Sequence, residues 1–62
     1  MMFSLEIIFD DKTQNFLLYV NGKPSKTFAN WEEVIGFWRS LIKLIPDLPL
    51  EPEVTPLSRY GL

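Results

Sequence analysis

The sequence predicts an α+β fold: a three-stranded antiparallel β-meander, then one amphipathic α-helix, then an extended proline-rich C-terminal tail (β-β-β-α-tail). Three observations carry that expectation. Between Phe3 and Phe28 apolar residues alternate with polar ones or gather in short aromatic and branched runs. Between Trp31 and Ile45 the spacing becomes helical, and four of the five prolines fall after residue 45.

In the first strand Phe3, Leu5, Ile7 and Phe9 share one side, with Ser4, Glu6 and Ile8 on the other. Asp10 to Asn15 is a polar turn. Phe16 to Val20 is the second strand, rich in aromatic and branched side chains. Asn21-Gly22 then signals a hairpin, because a two-residue type I′ turn needs positive φ at both positions. Lys23 to Phe28 completes the meander, and Pro24, which has no N–H to give a ladder, makes it an edge strand.

Asn30 suits the N-cap of the helix, and Glu33 three residues on gives a variant of the capping box. Trp31, Val34, Ile35, Trp38, Leu41, Ile42 and Ile45 fall in an apolar stripe about 120° wide, the usual core-facing width. Glu32, Glu33, Gly36, Arg39, Ser40 and Lys43 cover the opposite side. Pro46 stops the helix, since its ring clashes with the preceding turn. Gly36 costs about 1 kcal/mol relative to alanine at a helical position and either has no packing role or admits a close neighbour.

These segments divide the chain into a small α+β domain, residues 1–45, and a tail, residues 46–62. Acidic and basic residues cancel in 1–29 and in 30–45, so the net charge of −2 lies in the tail. Pro46, Pro49 and Pro52 recur with the three-residue period of polyproline II. The tail also keeps Leu48, Leu50, Val54, Leu57, Tyr60 and Leu62, more large apolar residues than a free linker carries, so it is expected along an apolar surface.

The composition excludes several classes of function. The chain has no cysteine and no histidine, which removes disulfides, thiolate chemistry, the commonest metal ligand and the usual base near neutral pH. It has no nucleophile elbow and no phosphate-binding glycine loop. Glu32 and Glu33 are neighbours on the solvent side of the helix and do not converge on a pocket. Asp10 and Asp11 lack the ligand spacing and the glycine of a calcium loop. The chain is mildly acidic and its lysines are scattered, against a nucleic-acid surface. The overlapping PxxP patterns have acidic neighbours, whereas SH3-type ligands want a basic residue. No enzyme, cofactor, metal or small-molecule substrate is expected. The N-terminus lacks a basic region ahead of its apolar residues, and Trp31 to Ile45 is too short and charged to span a bilayer, so a cytoplasmic protein without membrane contact is expected.

What remains is association. With 47% apolar residues, the chain has more to hide than one helix on one sheet face can cover. Leu17 and Tyr19 alternate away from Phe16, Leu18 and Val20, toward the face the helix does not reach. Phe37 and Leu44 flank the helix stripe and widen it to about 180°, to be covered by the tail or sheet rim or to meet another chain. The candidate contact residues are therefore Leu17, Tyr19, Phe37 and Leu44, with Leu48, Leu50, Val54, Leu57 and Tyr60 in the tail. The expected function is a small non-catalytic protein-interaction module: an accessory subunit, adaptor or inhibitor. The alternative is a structural homodimer whose discernible property is self-association. Asn21-Gly22-Lys23-Pro24 followed by Trp31-Glu32-Glu33-Val34 is a pattern of structure and imports no activity.

Overall fold

The computed structural model describes residues 4–60; Phe3, expected at the start of the first strand, and Leu62 lie outside the described residues. Strands β1 (Leu5–Asp10), β2 (Asn15–Val20) and β3 (Lys23–Phe28) form the antiparallel meander, and helix α1 spans Trp31–Leu44. The fold is α+β, as the alternation and the helical stripe imply.

Each connection has a local cause. Asp10 Oδ1 accepts from the Lys12 N–H and the Asp10 carbonyl from the Gln14 N–H, closing the first turn with Gln14 at φ 65°. At the β2–β3 hairpin Asn21 and Gly22 both have positive φ, 52° and 80°, the geometry that matches the twist of the flanking strands. Asn21 also binds back to β1: its N–H donates to the Ser4 carbonyl and its Oδ1 accepts from the Ser4 N–H. The β2–β3 register shifts by one residue between Leu18 and Tyr19, because Leu18 pairs with Lys26 and Tyr19 with Pro24, leaving Ser25 in a bulge.

The helix starts where the cap places it. The Asn30 side chain accepts from the Glu33 N–H at 3.0 Å, and Glu33 reaches back to the Ala29 N–H. Val34 turns onto Ile7, Leu18 and Phe28 to form the core, with Leu5, Phe16, Val20 and Phe37 packed around it. Burying a side chain such as Ile7 or Val34 completely is worth about 2 kcal/mol. Phe9, Phe16 and Trp31 form an aromatic row at one end of this layer, with ring centroids 5.0 and 5.6 Å apart. Gly36 lies in open space on the exposed side, so no close neighbour requires it.

The tail departs from the expected extended form, and the sheet has four strands where three were expected. Pro46 is the second residue of a turn closed by the Leu48 N–H on the Ile45 carbonyl, which breaks the polyproline period at its first step. The indole N–H of Trp38 holds the Pro49 carbonyl at 2.8 Å, and Pro52 is buried. Val54–Pro56 then forms β4, parallel to β1, in the sheet order β3-β2-β1-β4. A 3₁₀ turn, Leu57–Tyr60, follows and packs against β1 and β4. β4 escapes a sequence reading because it is three residues long and ends in proline, which a sheet tolerates at an edge.

Candidate interaction surface

Alternation assigns the two faces of the sheet. Ile7 belongs to the core beneath the helix, so its neighbours Glu6 and Ile8 point to the outer face. Register carries this across the sheet: Leu17 pairs with Ile8 and with Thr27, Tyr19 with Glu6, and Thr55 with Ile8. The outer face thus has Ile8, Leu17 and Tyr19 at its centre and two threonines at its flanks.

The 3₁₀ turn sits on one margin of this face. The Tyr60 hydroxyl donates to Glu6 Oε2, and Glu6 is an outer-face residue. That hydrogen bond raises the Tyr60 phenol above its ordinary value, helped by partial removal from water and by the Glu6 charge, with Arg59 opposing. Ile8 is only 4% exposed beneath these neighbours, while Leu17 and Tyr19 are half-buried and retain accessible surface. Tyr60 is 51% exposed and Leu57 half-buried.

Of the nine candidate contact residues, Leu17 and Tyr19 lie on this face, and the 3₁₀ turn that carries Leu57 and Tyr60 docks on its margin through Tyr60. The other five are placed elsewhere. Phe37 packs on Phe28, centroids 5.3 Å apart, as part of the core periphery. Leu44 and Leu50 are 79% and 83% exposed, and Val54 sits in the short edge strand β4. Leu48 is half-buried and lines an open groove of about 620 Å³, between the start of β1, Trp38 and the tail loop. Glu6, Asp47 and Glu53 also line that groove.

Sequence reasoning missed Glu6 as the residue that receives the tail, and it set Trp31 in the core-facing stripe, whereas Trp31 stays 39% exposed at the start of the helix. Glu6 was findable only as the polar residue two places from Ile8 on the same face; its partner lies at the other end of the chain. Among the described residues no cluster of three or more Asp or Glu is arranged to hold a metal, and no helix is long and apolar enough to cross a membrane. The chain matches no family model, no curated protein and no solved structure.

Proposed function

We propose that this chain is a small non-catalytic protein-interaction module, an accessory subunit, adaptor or inhibitor, that docks through the outer face of its sheet. The observation that carries the reading is the placement of Leu17 and Tyr19 on the face opposite the helix, with the turn Leu57–Tyr60 docked on its margin through Tyr60 and Glu6. Tyrosine is among the residues that most often dominate binding energy, because it offers a large rigid contact with a polar tip. The exposed Leu44 and Leu50 stand alone, and scattered surface leucines need no functional explanation.

The test compares two baits in capture from the native host. Leu17→Asp is expected to lose the proteins that the unaltered chain retains, and Leu44→Asp to keep them, with both variants giving unaltered far-ultraviolet circular dichroism. Retention of the same proteins by Leu17→Asp would place the contact elsewhere.

A further inference from the structure

Both edges of the sheet are closed to strand addition. β3 carries Lys23, Pro24, the Ser25 bulge and Lys26, devices that keep another strand from pairing. β4 offers three residues, ends in Pro56 and turns directly into the 3₁₀ segment. Association is left to the faces, and the helix occupies one of them.

The outer face suits its own copy in charge, shape and size. Lys23 and Lys26 pair with Val20 and Leu18, which places them on the helix side. Among the described strand residues the outer face carries charge only at Glu6, bound by Tyr60, and Asp10, near the end of β1. A surface that meets itself across a two-fold axis brings like charges together, and the neutral centre of Ile8, Leu17 and Tyr19 avoids that. In shape, the turn Leu57–Tyr60 makes a ridge over β1 and β4 and leaves a trough over β2 and β3. Ridge and trough are centred about 10 Å apart, two strand spacings. In size, four strands of at most six residues make a sheet about 20 Å on a side, which with the relief of the ridge gives the contact area of a small, reversible interface.

We propose that the occupant of the outer face is a second copy of this chain, packed sheet to sheet about a two-fold axis running along the strands. The direction of the axis follows from the ridge. A two-fold along the strands carries the ridge of one copy over the trough of the other, whereas an axis across the strands sets ridge on ridge. Leu57 and Tyr60 of each copy then lie over β2 and β3 of its partner, and the helices form the outer layers. Among the described residues six hydrophobic side chains make up the buried core, with no disulfide, which is the setting in which small domains recruit a second chain. This inference rests on the outer face being the interaction surface.

Because the chain has no cysteine, single-cysteine variants report the geometry cleanly. Sedimentation equilibrium of the unaltered protein is expected to give twice the 7.3 kDa chain mass. Leu17→Asp and Thr27→Arg, the second at an exposed position that tolerates substitution, are expected to halve that mass without loss of circular dichroism. Mixed and oxidised, Thr27→Cys and Ser58→Cys chains are expected to cross-link with each other in preference to like with like.

A chain that stays at 7.3 kDa up to about 1 mM, a concentration that would populate even a weak complex, overturns the second copy. If Leu17→Asp still loses captured proteins in that case, the interaction surface stands with another occupant; if it does not, both readings fall. A dimer that survives both substitutions overturns the face, and preferential Ser58→Cys self-linkage overturns the axis.

Discussion

On one face of the sheet Ile7, Leu18 and Phe28 meet Val34 and Phe37 of a 14-residue helix; on the other, Ile8 lies at the centre and a four-residue 3₁₀ turn docks on Glu6 at the margin. The helical face is closed by residues adjacent in sequence to the meander, through a cap, a stripe and a proline stop. The outer face is closed in part by the far end of the chain, which reaches it by passing Trp38, joining the sheet edge as β4 and turning over β1. One chain thus contains a locally specified layer and a layer that exists only once distant segments have met.

The largest expected effect tests whether these faces differ in degree or in kind. Ile7→Ala is expected to cost about 3 kcal/mol, because the cavity opens under the helix where neighbours cannot all collapse into it. Ile8→Ala is expected to cost about 2 kcal/mol, since Ile8 is nearly as buried but lies outside the cluster that packs under the helix. Urea denaturation of the two variants measures both. If Ile8→Ala cost under about 0.5 kcal/mol, the outer face would be no more than solvated surface, because a filled site cannot lose a branched side chain so cheaply.

The same contrast explains what the sequence disclosed. Asn21-Gly22, Asn30, Pro24 and Pro46 each act within a few residues, so hairpin, cap, edge strand and helix stop were all legible. Leu17 and Tyr19 were legible as outward-facing because alternation is a property of a single strand. β4 was not, because Val54-Thr55-Pro56 has no periodicity of its own and becomes a strand only against Ile7–Phe9. Phe37 shows the limit on the helix: its place beside the stripe left open whether tail or sheet rim covered it or another chain met it, and Phe28, on a different element, packs against it.

A smaller effect is expected where the two layers are joined. Trp38 is buried in the helix layer, yet its indole N–H holds the Pro49 carbonyl of the tail. Trp38→Phe keeps an aromatic ring in place and removes that donor. It is expected to cost about 1 kcal/mol, the net value of one hydrogen bond in a partly buried site. Amide hydrogen exchange sharpens the reading. Protection is expected to fall along β4 and to persist in β2 and β3, so that the outer layer loosens while the inner one holds. Uniform loss of protection would mean that tail and helix open as one unit.

The smallest effect belongs to the contact that pins the turn to the outer face. Glu6 accepts the Tyr60 hydroxyl hydrogen bond, so the folded protein favours the protonated phenol and raises its pKa above 10.0. The sign follows from linkage. The contribution is fully present below the ordinary tyrosine value and is lost as pH rises through the higher folded value. Ionisation then sets a phenolate against the Glu6 carboxylate, and the turn is repelled where it had been held. Thermal melts of the unaltered chain and of Tyr60→Phe, compared from about pH 8 to about pH 11, isolate this contact, because the lysines that titrate in the same range are common to both chains. The unaltered chain is expected to melt higher at the lower end and to lose that advantage at the upper end. A difference that stays constant across the range would show that the hydroxyl contributes through packing and not through its hydrogen bond to Glu6.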